Sequence, residues 1–170
     1  GTSISFSFWV KMNTEIGSGS QYMFEKTLGP NNPQVVGYYV QYEYNGGTRR
    51  LNFTRAKHGV AGNACFISAT LGTTNWTHIA LTWDGSTVRG YIGGTEGCTV
   101  ASSGSGATDS NLTNRFAILS SDSGYAPGSW LSGIVDDMAV FNRQLTATEV
   151  NDIANGTAAA AGEEYQIIFE

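Results

Sequence analysis

Two tight-turn signals, each between segments of alternating polarity, limit this chain to folds built from β-hairpins. One is Asn45-Gly46-Gly47 within VGYYVQYEYNGGTRRLNFTRA, and the other is Asp84-Gly85 within THIALTWDGSTVRGYIG. Asn-Gly and Asp-Gly pairs supply the positive φ values that tight hairpin turns require, and period-two alternation is typical of strands with one buried face. The sequence therefore predicts two antiparallel hairpins.

The composition favours an all-β domain around these hairpins. The chain has 22 glycines, 3 prolines and only 14% charged residues, which is typical of short strands joined by turns. Its 170 residues, 41% of them apolar, are enough to form one sizeable core. We interpret residues 1–170 as a single domain.

Charge and hydropathy argue against two classes of partner. The net charge is −5, from 14 acidic and 9 basic residues, and no Lys/Arg cluster is longer than the pair Arg49 and Arg50. Nucleic acid is not an expected partner, because its recognition needs a basic patch. Membrane insertion is not expected either, since the apolar runs are far shorter than the ~18 residues of a membrane span.

Strand alternation assigns side chains to faces in two segments. The opening SISFSFWVK has one face with Ile4, Phe6, Phe8 and Val10, and another with Ser5, Ser7, Trp9 and Lys11. The segment VGYYVQYEY has one face with Tyr38, Val40, Tyr42 and Tyr44, and another with Tyr39, Gln41 and Glu43. The face with three tyrosines is either a sugar-stacking platform or core lining. We interpret it as core lining, because half-buried strands prefer aromatic residues.

The segment LSGIVDDMAVFNR places two adjacent carboxylates in a strand. Strict alternation puts Asp136 and Asp137 on opposite faces, so one of them is expected to approach the core. Ca²⁺ is a candidate cofactor, because hard cations take several oxygen ligands. The candidate ligands are Asp136 and loop oxygens from Asp122, Asp109 or Asn111. The alternative role of Asp136 is a structural carboxylate that hydrogen-bonds a neighbouring loop.

The segment QLTATEVNDIANG predicts a short helix near residues 146–155. Thr146 is the expected N-cap, and Glu149 completes a capping box. Leu145 and Val150 form the expected hydrophobic staple. After a spacer, EEYQIIFE predicts a last strand that closes a sheet.

The two cysteines, Cys65 and Cys98, both lie in strand-like runs. They permit one disulfide or two buried thiols, and the sequence leaves both alternatives open. The chain has no CxxC pair and no His/Cys cluster, which argues against a zinc site.

Three ordered pieces, SISFSFWVK, WTHIALTWDGSTVRGYIGG and LSGIVDDMAVFNRQLTATEV, resemble the laminin-G-like, concanavalin A-like jelly rolls, a group that includes the pentraxins. The positions that carry the resemblance are Trp76, His78, Ala80, Asp84, Gly85, Gly133, Val135, Asp136, Asp137, Asn142, Arg143, Leu145 and Thr146. It covers most of residues 3–153 and implies a jelly-roll sandwich of two antiparallel sheets. Members of this group include sugar binders, adhesion modules and virion or surface-protein domains, so the implied function is broad.

The chain departs from the family pattern at two places. Tyr91-Ile92-Gly93-Gly94 stands where relatives usually have a Y-V-N-G hairpin end. The strand expected before residue 3 is missing, so that either the terminal YQIIFE fills its place or the domain is truncated.

No pattern of the enzymatic relatives occurs, and we predict that the chain is not an enzyme. The laminarinase-like glucanases resemble one another through E-x-D-x-x-E on one strand, because retaining hydrolysis needs two carboxyls ~5 Å apart. Neither that spacing nor a G-x-S-x-G nucleophile elbow is present. His78 has no acid or nucleophile pattern beside it, so we interpret it as a buried, hydrogen-bonded histidine.

Four residues are candidates for sugar binding, which uses aromatic faces together with groups that read hydroxyls. Trp9 is the large aromatic residue on an otherwise small and polar strand face. Tyr125 and Trp130 flank a loop rich in Asp, Ser and Gly, and Asp122 belongs to that loop. The alternative role of each aromatic residue is packing.

These features predict a lectin-like, non-catalytic recognition module, extracellular or on a virion or particle surface, that binds a glycan. The alternative is a structural or adhesion module that contacts surface proteins or other copies of itself in an oligomer. A glycoside hydrolase ranks third.

Overall fold

The computed structural model of the protein describes residues 3–27, 37–57, 60–101, 116–119, 130–157 and 165–166. Within these ranges two antiparallel sheets pack face to face. The six-stranded sheet has the spatial order β11 (Tyr165–Gln166), β10 (Gly133–Phe141), β1 (Ile4–Met12), β6 (Thr77–Trp83), β7 (Thr87–Ile92), β8 (Thr95–Ala101). The five-stranded sheet has the order β5 (Val60–Ser68), β4 (Thr48–Lys57), β3 (Gly37–Asn45), β2 (Gly19–Thr27), β9 (Ala117–Ile118). The prediction of an all-β jelly-roll sandwich is confirmed.

Paired glycines make two of the tight turns. Gly46 (φ 57°) and Gly47 (φ 87°) join β3 to β4, as the Asn-Gly signal predicted. Gly93 (φ 57°) and Gly94 (φ 80°) join β7 to β8 in the same way. Gly93 and Gly94 therefore form a tight turn at the place where the sequence departs from the Y-V-N-G pattern.

In the hairpin of β6 and β7, the side chain of Asp84 shapes the turn. Its Oδ1 accepts hydrogen bonds from the backbone N–H groups of Ser86 (2.9 Å) and Thr87 (2.8 Å), and its Oδ2 accepts one from Arg89 (2.8 Å). Partial burial acts to raise the pKa of Asp84, but these hydrogen bonds outweigh burial and lower the pKa to about 2. This acid therefore has a structural role in the turn.

The core lies between the sheets and is lined by the predicted apolar faces. β1 and β6 contribute Phe6, Phe8, Val10, Met12, Ile79, Leu81 and Trp83. Tyr38, Val40 and Tyr42 of β3 are buried opposite them, so the interpretation of this tyrosine-rich face as core is confirmed. The hydroxyl of Tyr42 accepts a hydrogen bond from the N–H of Leu71 (3.1 Å), which satisfies it inside the core.

Strand β10 departs from the predicted alternation at its two acids. Between the register pairs Ser7 with Ala139 and Trp9 with Asp136, β10 contains one residue more than β1, which is a β-bulge. Asp137 lies in this bulge with φ 47°. Both acids are exposed as a result, so the expectation that one of them approaches the core is wrong.

Helix α1 (Ala147–Ala154) is capped as predicted. The Oγ1 of Thr146 accepts a hydrogen bond from the N–H of Glu149 (3.2 Å), and Oε2 of Glu149 accepts one from the N–H of Thr146 (2.8 Å). The helix packs on the outer face of the six-stranded sheet through a second apolar cluster. This cluster contains Ala80, Tyr91, Ala139, Phe141, Leu145 and Val150. No described helix is long and apolar enough to cross a bilayer.

A disulfide joins the two sheets along one side of the sandwich. Cys65 on β5 and Cys98 on β8 are bridged, with their Cα atoms 5.7 Å apart. On the same side, Nδ2 of Asn63 donates a hydrogen bond to the carbonyl oxygen of Ala101 (2.8 Å). The structure thus adopts the bridge, one of the two alternatives that the sequence left open.

The terminal segment supplies an edge strand. β11 pairs with β10 at Ala139 and Val140 and forms one edge of the six-stranded sheet. The rest of the predicted strand EEYQIIFE lies outside the described residues.

Gly90 on β7 allows a close approach between the sheets. A Cβ added there would lie 2.6 Å from Cδ2 of Phe53 on β4. We expect Gly90→Ala to lower the free energy of unfolding by about 1–3 kcal/mol, because the ring or the strand must move. Urea denaturation measures this loss. The matched control is Gly72→Ala, whose added Cβ meets no atom within 4 Å, and equal stability of the two variants would contradict the close approach.

Candidate functional site

The outer face of the five-stranded sheet carries aromatic, amide and carboxylate side chains on three adjacent strands. Because the tyrosine-rich face of β3 lines the core, Tyr39, Gln41 and Glu43 face outward. The register of the strands places outward-facing residues of β2 and β4 beside them. These residues are Tyr22, Glu25, Arg50, Asn52 and Thr54.

Five of the outward-facing residues form one line across the strands, which we call the cross-strand row. Trp130 forms an isolated bridge with Tyr22, Tyr22 pairs with Gln41, Gln41 pairs with Asn52, and Asn52 pairs with Phe66. Adjacent strands lie about 4.8 Å apart, so the row extends for roughly 19 Å. Its order is aromatic, aromatic, amide, amide, aromatic.

The two amides at the centre of the row are held in place by hydrogen bonds. Nδ2 of Asn52 donates to Oε1 of Gln41 (3.3 Å), and the hydroxyl of Thr54 donates to Oδ1 of Asn52 (2.7 Å). All three side chains are buried although they belong to an outer face. Each amide keeps further hydrogen-bonding capacity, since an amide has two donors and an acceptor with two lone pairs.

Aromatic rings stand at both ends of the row. Trp130 is 67% exposed, and its neighbour Leu131 is buried in the core, so alternation turns the indole outward. The rings of Tyr22 and Tyr39 meet edge to face with centroids 5.8 Å apart. At the other end, Phe66 is 41% exposed.

Three charged residues flank the row. Nε of Arg50 donates to Oε1 of Glu43 (2.6 Å), and the guanidinium carbon of Arg50 lies 4.0 Å from the ring centroid of Phe66. Glu25, the register partner of Tyr39, is only 2% exposed.

Burial raises the pKa of both tyrosine hydroxyls on this face. For Tyr22, the carboxylates of Glu25 and Glu43 raise the pKa further. For Tyr39, burial outweighs hydrogen bonds with Thr54 and Asn52, and the same two carboxylates again raise the pKa. Both hydroxyls therefore remain protonated at neutral pH and can donate hydrogen bonds as well as accept them.

The predicted ligand residues divide between two faces of the sandwich. Trp130 lies in the cross-strand row, beside Tyr22. Trp9 lies on the outer face of the opposite sheet, where its register partners are Asp136 on β10 and His78 on β6. Asp122 and Tyr125 lie outside the described residues.

His78, beside Trp9, is a buried histidine, as the sequence indicated. Its Nε2 shares a hydrogen bond with the hydroxyl of Ser7 (2.8 Å), and its ring centroid lies 5.3 Å from that of Trp9. Nδ1 has no hydrogen-bond partner within the described part of the chain. Burial lowers the pKa of His78 to about 4, so the imidazole is neutral at physiological pH.

The calcium hypothesis concerns Asp136, which is exposed beside the bulge. Its Oδ1 accepts a hydrogen bond from the N–H of Asp137 (2.9 Å). The other candidate ligands, Asp122, Asp109 and Asn111, lie outside the described residues. Among the residues that are described, no three His, Cys, Asp or Glu side chains stand close enough to share a metal ion. Calcium binding stays a prediction.

Sequence reasoning missed most of the cross-strand row. The three tyrosines on one face of β3 are the more conspicuous pattern, but they line the core, whereas the outward face carries Tyr39, Gln41 and Glu43. The available signal was the mixture of aromatic, amide and acid on that second face. The pairing of Gln41 with Asn52 also follows from the hairpin turn at Asn45, since a two-residue turn determines the register.

A family profile and several solved structures are similar to this chain. The profile of the concanavalin A-like lectin/glucanases superfamily matches residues 1–151. A search of curated proteins found no match.

Similar solved structures share the fold at low sequence identity. The binding domain of botulinum neurotoxin serotype D/C has 16% identity and a TM-score of 0.62, over 92% of this chain and 37% of that one. A complex of the botulinum neurotoxin DC binding domain with SialylT has 16% identity and a TM-score of 0.60, over 92% and 36%. Domain 4 of an extracellular arabinanase from Geobacillus stearothermophilus, in complex with arabinotriose, has 19% identity and a TM-score of 0.57, over 90% and 66%. The chain thus spans about a third of the toxin domains that it resembles.

Proposed function

The chain belongs to the concanavalin A-like lectin/glucanases superfamily, and from this membership and the geometry above we propose that it is a non-catalytic carbohydrate-binding module. The proposed site is the outer face of the five-stranded sheet. The observation that carries the proposal is the cross-strand row, in which exposed aromatic rings flank two ordered amides.

The row matches the chemistry of a sugar chain. A pyranose or furanose ring presents C–H groups that pack against an aromatic face, and its hydroxyls need donors and acceptors around the rim. Trp130 and Phe66 supply aromatic surface, while Gln41 and Asn52 supply amide groups between them. A row of roughly 19 Å suits an oligosaccharide better than a single sugar.

The placement of the acids supports a non-catalytic role. Glycoside hydrolysis requires two carboxyls about 5 to 9.5 Å apart on either side of the scissile bond. Glu25 pairs with Tyr39, four residues along β3 from Glu43, so the two backbone positions are separated by roughly 13 Å along the strands. Glu43 is also engaged by Arg50.

Two similar structures are complexes, one of the botulinum neurotoxin DC binding domain with SialylT and one of the arabinanase domain with arabinotriose. Both proteins share the fold of this chain, which supports a glycan as the class of ligand. The Cys65–Cys98 disulfide supports an extracellular or particle-surface location, because disulfides persist in oxidising compartments.

A glycan array, followed by calorimetry with the best ligand, tests the proposal. We expect Trp130→Ala and Tyr39→Ala each to weaken binding at least about tenfold, since buried aromatic contacts dominate such interfaces. The matched control is Trp76→Ala, which removes an exposed tryptophan from the opposite sheet and should leave the affinity unchanged. A parallel titration with chelator and with Asp136→Ala tests whether calcium takes part.

A protein-contact module is the second candidate, favoured by a patch on the outer face of the six-stranded sheet. There Trp76 and Ile134 are exposed on either side of Lys11, whose ammonium lies 5.1 Å from the Trp76 ring centroid. If a folded protein binds no glycan and light scattering shows an oligomer that Trp76→Glu dissociates, this second function replaces the first.

A further inference from the structure

Two Asn-Gly pairs lie on the surface of the molecule, at Asn45-Gly46 and Asn155-Gly156. Such a pair is open to an intramolecular reaction, because glycine has no Cβ to hinder the approach of its backbone nitrogen to the preceding side chain. All four residues are exposed, so water can reach both pairs. Their hydrogen bonds are what distinguish them.

The first pair lies in a turn that leaves the reacting atoms unrestrained. Gly46 and Gly47 join β3 to β4 and lie outside the paired residues of the two strands. Within the described part of the chain, neither the Gly46 N–H nor the Asn45 carboxamide takes part in a hydrogen bond. A Cβ added to Gly46 would meet no atom within 4 Å, so the backbone has room to rearrange.

The second pair is held by the end of helix α1. The Gly156 N–H donates a hydrogen bond to the carbonyl oxygen of Ile153 (3.1 Å). Nδ2 of Asn155 donates to the carbonyl oxygen of Asn151 (2.8 Å) and to its Oδ1 (3.2 Å). The attacking nitrogen and the carboxamide are therefore both tied to the helix, and a reaction between them must first break these bonds.

From this contrast we propose that Asn45 is a site of spontaneous deamidation, and that the C-terminal cap of α1 protects Asn155. The backbone nitrogen of Gly46 gives its proton to water and attacks Cγ of Asn45, which forms a new N–Cγ bond. The Cγ–Nδ2 bond breaks, and ammonia leaves after it takes a proton from water. One water molecule then opens the resulting succinimide ring at either carbonyl carbon, and the product is aspartate or isoaspartate.

Both products can be recognised at this turn. Each places a carboxylate at the end of β3, which changes the charge of the protein and its elution in ion exchange. Isoaspartate also adds one methylene group to the backbone, because its main chain runs through Cβ. The added atom lies next to a two-residue turn, whose geometry depends on the exact number of backbone atoms.

The test incubates the folded, disulfide-bonded protein at neutral and mildly alkaline pH and follows both pairs by peptide mapping with mass spectrometry. We expect Asn45 to deamidate at least about tenfold faster than Asn155. A tenfold difference in rate corresponds to about 1.4 kcal/mol, which is close to the net contribution of one hydrogen bond. The rate at Asn45 should rise with pH, because the attack requires loss of the Gly46 proton.

Two variants assign the fast reaction to its residue. Asn45→Gln should abolish the fast reaction, since glutamine would have to form a six-membered ring, which closes more slowly. Asn155→Gln is the matched control and should leave the fast reaction unchanged. A fast reaction that survives in Asn45→Gln would overturn the proposal.

The same chain, reduced and unfolded in guanidinium chloride, separates the effect of the structure from that of the sequence. Neither pair is held by hydrogen bonds in that state, so the two rates should approach each other. Equal rates in the folded protein, or a tenfold gap that persists after unfolding, would show that the helix cap does not protect Asn155. None of these measurements depends on a glycan, so their outcome is independent of the proposed function.

Discussion

Replacing Cys65 and Cys98 together by serine is expected to lower the free energy of unfolding by about 3 to 4 kcal/mol. The bridge closes a loop across a sequence separation of 33 residues, and the loss follows from the greater chain entropy of the unfolded state once that loop is open. The bridge also joins edge strands of the two sheets, so its removal weakens one side of the sandwich. Denaturation in urea, with and without a reducing agent, measures the effect.

The control for this variant is Asn63→Ala. It removes the hydrogen bond to Ala101 on the same side of the sandwich but leaves the covalent link. We expect Asn63→Ala to lower the free energy of unfolding by no more than about 1.5 kcal/mol, which is the net contribution of one hydrogen bond. An unfolding midpoint of the double serine variant equal to that of the oxidised wild type would show that the disulfide contributes nothing.

The protein is expected to lose about 3 kcal/mol of stability between pH 6.5 and pH 4 because of His78. The pKa of histidine in an unfolded chain is about 6.5, and burial lowers the pKa of His78 to about 4. In this window the unfolded state binds a proton that the native state does not, so stability falls as the pH falls, by about 1.4 kcal/mol per pH unit. Below pH 4 both states are protonated, and the loss is complete.

The surroundings of His78 explain why its protonation is unfavourable. The side chain is 1% exposed, and Nδ1 faces no acceptor in the described part of the chain. Ser7 and Trp9, its neighbours on β1, carry no charge, and Asp136 beyond Trp9 is exposed. A protonated ring would therefore be buried without a counter-charge in contact with it.

His78→Gln should remove this part of the pH dependence while keeping a side chain that can bond Ser7. The matched control is His58→Gln, which replaces the other histidine of the chain.

A separate loss of folding stability, which arises from Glu149, should persist at lower pH in both variants. Hydrogen bonds from Arg143 and Thr146 lower the pKa of Glu149 to about 2, so its contribution fades only below about pH 4.5. A titration by NMR that shows a His78 pKa near 6.5 would contradict the prediction.

Much of the fold could be predicted because its signals are local. Three features depend only on residues that are close together in the sequence. They are the turn at Gly46 and Gly47, the capping box of Thr146 and Glu149, and the tyrosine-rich core face of β3. The bulge at Asp137 could not be predicted. A bulge is defined by the pairing register of two strands, so one strand's sequence does not reveal it. Here the partners β1 and β10 are more than a hundred residues apart in the sequence.

The candidate site was predicted less well, for the same physical reason. The loop before it makes Trp130 a candidate, but its neighbour Tyr22 comes from a strand far earlier in the sequence. Strand parity makes Trp9 a candidate and correctly places its side chain outward, but parity does not say which of the two outer faces carries it. Only the packing of the two sheets separates Trp9 from Trp130.

In the strands without a bulge, the sequence by itself determined which side chains point together, because alternation is a property of a single extended chain. It also determined the two hairpins and the helix cap, since the Asn-Gly and Asp-Gly turn residues and the capping residues act on their immediate neighbours. The tertiary structure alone decided that Tyr22, Gln41 and Asn52 stand in line with Trp130, and that Cys65 meets Cys98. Those neighbours are brought together by the order of strands in a sheet, which is set by the burial of a common core and not by any local pattern.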